Sequence, residues 1–210
     1  MKTAVVWGAA GGIGQALVAK LVNEGWQTIA LVHRPLLTQM ATPHVIDANV
    51  CSPYEIELAV QSIKSIVEEV NLWIYSVGDI TSVKIAEMLP DQWQTIIDAN
   101  LTGAFLTTHY SLPILAHDAH LIYVGAVSER LRLPGLSAYG VAKSGLEAFV
   151  ETLRKEERKK TVTLVRPSAV DTAFWDKVPM KLPHNSLSVV DVANQVIDVH
   201  QNQRKGVIDL

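Results

Sequence analysis

Short runs of apolar and β-branched residues alternate with amphipathic stretches along the whole chain, and this alternation leaves few folds open. Thr3–Trp7, Thr28–Val32, Val45–Ile46, Leu72–Val77, Leu121–Val124 and Val162–Val165 read as buried strands, and Gly206–Leu210 has the length of a closing one. Between them, Ile13, Leu17, Val18 and Leu21 recur at helical spacing, with Gly25 where a helix C-cap belongs. Ser52-Pro53-Tyr54-Glu55 is a capping-box start, continued by Ile56, Val60, Ile63 and Val67 as one apolar stripe. Longer helical stretches are expected from about Asp91 to Leu115 and from Ser137 to Arg158, and Ser188 with Asp191 caps a last helix. Strand and helix in strict alternation imply right-handed crossovers. The expectation is therefore an α/β fold: a doubly wound parallel sheet of about seven strands in a three-layer α/β/α arrangement.

A chain of 210 residues fits one such unit, residues 1–210, with no repeat or linker to divide it. Apolar residues make up 49% of it, enough for a large core, and the net charge of −3 offers no basic field for nucleic acid or an anionic membrane. The single cysteine, Cys51, rules out an internal disulfide, and the histidines show no HxxxH or HExxH pair, so no metal site is expected. Lys2 and the apolar stretch Ala4–Ala19 look like a signal peptide, but four glycines and Gln15 interrupt it; strand, turn and helix are the better reading, which implies a cytoplasmic protein.

The interruption itself is informative. Gly8-Ala9-Ala10-Gly11-Gly12-Ile13-Gly14 follows the first strand directly and opens the first helix. Glycines there let the chain turn tightly and let backbone N–H groups approach a pyrophosphate at the positive end of the helix. A tight structural turn would use the same residues, but the position between strand and helix favours a Rossmann-like dinucleotide site at Gly8, Gly11, Gly12, Ile13 and Gly14. At the end of the second strand stand His33 and Arg34, with no acid to accept from the ribose hydroxyls. Arg34 can pair with a 2′-phosphate through its planar fork, so NADP(H) is expected over NAD(H); a solvent-exposed arginine before Pro35 is the plainer alternative.

Ser137-Ala138-Tyr139-Gly140-Val141-Ala142-Lys143 places Tyr139 and Lys143 on one face of a helix. A phenol with an ordinary pKa of about 10 is a poor acid–base group at neutral pH, and a neighbouring ammonium favours its ionised form. With the glycine turn 125 residues before Tyr139, the pair resembles the short-chain dehydrogenase/reductase family, and the resemblance covers nearly the whole chain. Gly8, Gly12 and Gly14 match the TGxxxGxG turn with Trp7 in place of the threonine, and Gly78 is what remains of NNAG in Tyr75-Ser76-Val77-Gly78. The resemblance implies hydride transfer between a nicotinamide and a carbonyl or conjugated C=N or C=C acceptor. Tyr139 would be the acid/base, Lys143 would tune it and hold the ribose, and Asn100 would anchor a relay water. It further implies that Asn49-Val50 meets adenine. Pro167, Val170 and Thr172, in a segment like PGxxxT, would meet the carboxamide.

The departures from the family pattern are as specific. A serine usually stands thirteen positions before the tyrosine and polarises the substrate carbonyl; here that position is Ala126. Loss of such a donor costs on the order of 3 kcal/mol of transition-state stabilisation. Ser128, two residues on, is the candidate substitute, with a solvent-facing loop serine as the alternative. A Gly-Ala here together with YGxAK is similar to the dihydropteridine reductases of the same family, which implies a substrate activated in some other way, such as a quinonoid ring. Residues 172–188 form a short lid in which Trp175 either lines the substrate pocket beside Ala126 and Ser128 or packs the lid onto the core. The resemblance implies a homodimer or homotetramer. A catalytically weak nucleotide-binding sensor is the rival, against which Tyr139, Lys143 and Asn100 stand together; an epimerase would be expected to need a larger C-terminal region.

Overall fold

A computed structural model describes residues 2–33 and 40–210 of the chain. Seven parallel strands form one sheet in the order β3-β2-β1-β4-β5-β6-β7. They are β1 (Thr3–Trp7), β2 (Gln27–Val32), β3 (His44–Asp47), β4 (Val70–Tyr75), β5 (Leu115–Val124), β6 (Thr161–Arg166) and β7 (Gly206–Asp209). Among the described residues, six α-helices connect and cover them: α1 (Gly12–Asn23), α2 (Pro53–Ile66), α3 (Pro90–Ile97), α4 (Gly103–Ser111), α5 (Ser137–Glu156) and α6 (Val189–Gln201).

All five residues of β1 are buried, as a strand covered on both faces requires. Its side chains alternate between two cores. Ala4 and Val6 join Leu17, Leu21, Val192 and Val196 beneath α1 and α6. Val5 and Trp7 join Ile56, Ile63, Ala104 and Leu146 beneath α2, α4 and α5. The three-layer arrangement follows. Because the chain winds outward from β1 in one direction and from β4 in the other, the carboxyl ends of these two neighbours open a crevice between their following segments.

Local signals place most helix ends. Ser52 Oγ accepts from Glu55 N at 3.3 Å with Pro53 at the first helical position, and Ser188 with Asp191 forms a reciprocal box at the start of α6. Three expectations are corrected. The stretch from Asp91 to Leu115 is not one helix. It starts at Pro90, where Leu89 N donates to the Gln92 side chain, passes through a π turn at Asp98–Thr102, and ends at Ser111 before Pro113. The following strand consequently starts at Leu115 rather than Leu121 and takes up a register irregularity against β4. The fourth strand ends at Tyr75, two residues before the expected Val77, because the Ser76 hydroxyl and amide both bond the Trp7 carbonyl (2.8 and 2.9 Å) and turn the chain toward the crevice. No described helix is long and apolar enough to cross a membrane.

Candidate active site

The crevice holds a cavity of about 1080 Å³ that runs from the end of β2 to the lid after β6. Its floor at one end is the glycine turn. Gly8 adopts φ +84°, and a Cβ on it would lie 2.7 Å from the amide nitrogen of Val77, so only glycine lets the turn pass this close to the start of the β4 loop. A Cβ on Gly14 would collide with the Gly8 carbonyl. With Gly11 as its N-cap, α1 carries no side-chain cap, which leaves the first-turn N–H groups available to a ligand anion. Gly12 lies opposite Thr172, whose methyl would sit 3.3 Å from an added Cβ. Gly8, Gly11, Gly12, Ile13 and Gly14 all line the cavity.

At the adenine end predicted from the sequence, His33, Asn49 and Val50 also line the cavity. The Asn49 side chain is engaged in its own turn, accepting from Cys51 N at 3.0 Å, while its backbone N–H donates to Glu55. Arg34, on which the cofactor preference rested, lies outside the described residues.

Asn100 sits at the centre of the π turn, fully buried. π turns insert one extra residue and displace carbonyls from their usual helical partners. Two carbonyls here are met by side chains: Asn100 Nδ2 donates to Ile96 O (2.9 Å) and also to Asp79 O (2.7 Å), and Tyr75 Oη donates to Ala99 O (2.7 Å). The remaining polar atom, Asn100 Oδ1, is buried without a partner, and it faces Gly78, whose missing Cβ would lie 3.0 Å from it and 3.7 Å from Lys143 Nζ. An orphaned acceptor and an ammonium flanking one glycine fit a bridging water. Tyr75 occupies the first position of the altered NNAG motif, and Gly103 leaves space for its hydroxyl. Tyr75→Phe is expected to destabilise the protein by about 1–2 kcal/mol, because it strips a buried carbonyl of its donor; urea unfolding checks this. An unchanged unfolding midpoint would show that Ala99 finds another donor.

Tyr139 and Lys143, one turn apart on α5, line the same cavity as the glycine turn, with the ammonium 5.6 Å from the phenol ring centroid. Lys143 Nζ donates to the Val124 carbonyl at 3.2 Å, which fixes it at the end of β5. Burial holds Lys143 down at about 8 and pushes the Tyr139 phenol well above its ordinary value. The Tyr139 hydroxyl has no hydrogen-bond partner among the described residues. Pro167, Val170 and Thr172 close the cavity from the β6 side, and Trp175 lines it while donating Nε1–H to Val170 O at 2.8 Å.

Ala126 lines the cavity and Ser128 does not: it is buried, and its hydroxyl points at Glu147 (3.4 Å). The cause is a charge cluster. Arg166, at the end of β6, is held by Asp209 (2.7 Å), Glu147 (3.1 Å) and Glu129 (3.3 Å), and the Glu147 carboxylate so placed draws Ser128 away from the cavity. The sequence reading also missed the pair formed by Lys177 in the lid and Asp79 after β4 (2.6 Å), and the placement of Phe174 against Tyr139 (ring centroids 6.4 Å apart). Phe174 was open to detection as the aromatic neighbour of Trp175. The ion pair, 98 residues apart, carries no local signal.

The short chain dehydrogenase family profile matches residues 2–183. An uncharacterized oxidoreductase of Staphylococcus epidermidis RP62A is 31% identical over 186 residues, covering 83% of this chain and 80% of that protein. An uncharacterized oxidoreductase of Staphylococcus aureus USA300 is 28% identical over 184 residues, covering 82% and 80%. Among solved structures, Thermoplasma acidophilum aldohexose dehydrogenase in ligand-free form superposes with a TM-score of 0.89 at 19% identity, over 100% of this chain and 92% of that one. A short-chain dehydrogenase/reductase from Serratia marcescens gives 0.88 at 18%, over 100% and 96%. Those two likenesses speak for the fold. With the family profile and the S. epidermidis relative, the chain belongs to the short chain dehydrogenase family and is an oxidoreductase of that family.

Proposed function

We propose that this oxidoreductase uses a nicotinamide dinucleotide, NADP(H) in preference to NAD(H), and that Tyr139 is its acid/base. The observation that carries the reading is one cavity shared by the glycine cradle and the Tyr139–Lys143 pair, with the buried acceptor of Asn100 beside the ammonium.

The residues present fit the dinucleotide. Gly8–Gly14 and the open N-terminus of α1 would take the pyrophosphate, and Lys143 would donate to the nicotinamide ribose. Pro167, Val170 and Thr172 would orient the carboxamide. When bound, the dinucleotide supplies or accepts the hydride. The chain's own part is positional and protonic. Tyr139 keeps its proton because burial disfavours the phenolate, and so presents an O–H donor to the oxygen of an acceptor in the cavity. Lys143, held by the Val124 carbonyl, places a positive charge beside the phenol that favours the phenolate once the proton leaves. A water between Lys143 Nζ and Asn100 Oδ1 would return that proton from the solvent side. Ala126 adds no donor, so the acceptor's oxygen relies on Tyr139.

Titrations of the protein with NADPH and NADH, followed by nicotinamide fluorescence and then by a carbonyl panel, test this directly. Binding of NADPH at least several-fold tighter than NADH, with turnover of an acceptor, is the expected result. Tight binding with no acceptor turned over would leave a sensor instead of an enzyme; absence of binding would remove the proposal altogether. A pH dependence follows from Lys143. Its charged form supports the reaction and is lost as pH rises through about 8, so reductive turnover is expected to fall above that value. A rate profile flat to pH 10 would rule Lys143 out of the role.

A further inference from the structure

Past Tyr139 the lining of the cavity changes. Ile80 and Leu136 are buried there beside the tyrosine, and Leu131, Phe174, Val178 and Met180 pack around them, so the wall that would meet a substrate is hydrocarbon on several sides. Apart from Lys143, the cations lining the cavity among the described residues are Arg130 and Lys177. Lys177 Nζ lies 2.6 Å from the Asp79 carboxylate and is already neutralised. Arg130 is exposed, so solvent screens its charge. Ala126, which also lines the cavity, presents only a methyl group.

From this lining we infer that the substrate is an uncharged, apolar carbonyl compound, with an electron-poor aromatic aldehyde as the best-fitting type; the inference rests on the oxidoreductase reading above. A carboxylate or phosphate ester entering this part of the cavity would give up its hydration against hydrocarbon, with Lys177 already paired and the exposed Arg130 screened by solvent, and a sugar would lose most of its hydroxyl hydrogen bonds against the same wall. A flat ring in the cavity would meet Phe174 and the aliphatic side chains that line it, and aromatic edge and face contacts would add to burial. Ala126 narrows the class further. With one hydrogen-bond donor instead of two for the developing alkoxide, the carbonyl must carry its own electron demand, which an aldehyde on an electron-withdrawing ring does. The step balances: the carbonyl carbon gains a hydride and a new C–H bond, the C=O π pair takes the proton of Tyr139, and the reduced dinucleotide is left two electrons oxidised.

A matched pair separates charge from size: para-trifluoromethylbenzaldehyde and para-carboxybenzaldehyde, with D-glucose as the third substrate. The neutral aldehyde is expected to exceed the carboxylate by about 100-fold in kcat/KM, and glucose by more. Calorimetry with the two corresponding benzyl alcohols, in the presence and absence of dinucleotide, reads the same preference without turnover, and the neutral alcohol should bind at least about 30-fold more tightly. Asp79→Asn leaves Lys177 uncompensated and should shrink the neutral-to-carboxylate ratio about tenfold; Val178→Arg, in the cavity lining, should do so even if the first variant folds poorly. Equal or reversed preference in both turnover and binding, or a ratio that neither variant moves, overturns the inference while leaving the oxidoreductase reading intact. Selective binding of the neutral alcohol without dinucleotide binding would uphold the pocket's chemistry and sink the dinucleotide reading instead.

Discussion

Tyr139→Phe is expected to lower turnover on the order of 10³-fold while leaving dinucleotide affinity and stability nearly unchanged. The substitution removes one hydroxyl. No described residue hydrogen-bonds that oxygen, so no partner is left stranded in the core, and the ring contact with Phe174 is retained. Lys143 keeps its anchor on the Val124 carbonyl. With the phenol gone, neither Ser128, which points to Glu147, nor Ala126, which has nothing to donate, can stand in for it. Solvent would have to deliver the proton, which accounts for the residual rate. Single-turnover measurements at saturating dinucleotide isolate the effect from binding. Full activity in the variant would transfer the acid/base role to another group and dismantle the proposed mechanism.

The contrast between Tyr139 and Ser128 shows where sequence reasoning holds and where it stops. Tyr139 and Lys143 lie four residues apart on one helix, and the regular geometry of α5 alone puts both on the face toward the cavity. Gly8, Gly11, Gly12 and Gly14 are likewise local: strand, turn and helix follow one another with no room for another path. Strand and helix periods gave the α/β class and the parallel sheet for the same reason. The direction of Ser128 is set by Glu147 and Arg166, residues 19 and 38 positions away whose approach depends on β6 lying beside β5. The Lys177–Asp79 pair is more distant still.

The π turn illustrates a third kind of gap. One inserted residue barely disturbs an apolar stripe, so Asp91–Leu115 read as a continuous helix; yet that insertion frees the Ile96 and Ala99 carbonyls for Asn100 and Tyr75. The replacement of NNAG by Tyr75-Ser76-Val77-Gly78 accordingly has a structural answer that the motif comparison lacked. Tyr75 secures the turn that carries Asn100, and Ser76 ties the β4 loop to the Trp7 and Gly8 carbonyls.

At the opposite end of the sheet from the cavity, a histidine pair is expected to make the protein acid-labile. His120 on β5 is buried, and its Nε2 lies 2.8 Å from the Thr163 hydroxyl, which itself donates to the Arg204 carbonyl at 2.6 Å. The hydroxyl proton being committed, His120 Nε2–H must donate to Thr163, which leaves Nδ1 as an acceptor. His200 Nδ1, 3.2 Å away, must then donate to it, so both rings are neutral and their tautomers fixed. A further proton on His120 has only Nδ1 to go to, against the N–H of His200. Burial, and then His200, hold His120 down at about 3, and burial with the nearby Lys2 charge lowers His200 as well, against a smaller opposing pull from Glu24. A histidine with a depressed folded-state pKa is protonated preferentially in the unfolded chain. Its contribution is therefore complete above the unfolded value of about 6.5 and drains away as pH falls toward 3. For His120 alone the loss reaches about 3 kcal/mol by pH 4.5, within a wider decline to which the carboxylates also contribute. The histidine share can be isolated with His120→Asn, whose amide retains a donor for Thr163. The variant should be less stable than the parent at pH 7 in urea, yet lose about 3 kcal/mol less on going to pH 4.5. If both proteins lose the same amount over that interval, His120 is charged or solvated in the folded chain, and the fixed chain of donors through Thr163 to Arg204 does not exist.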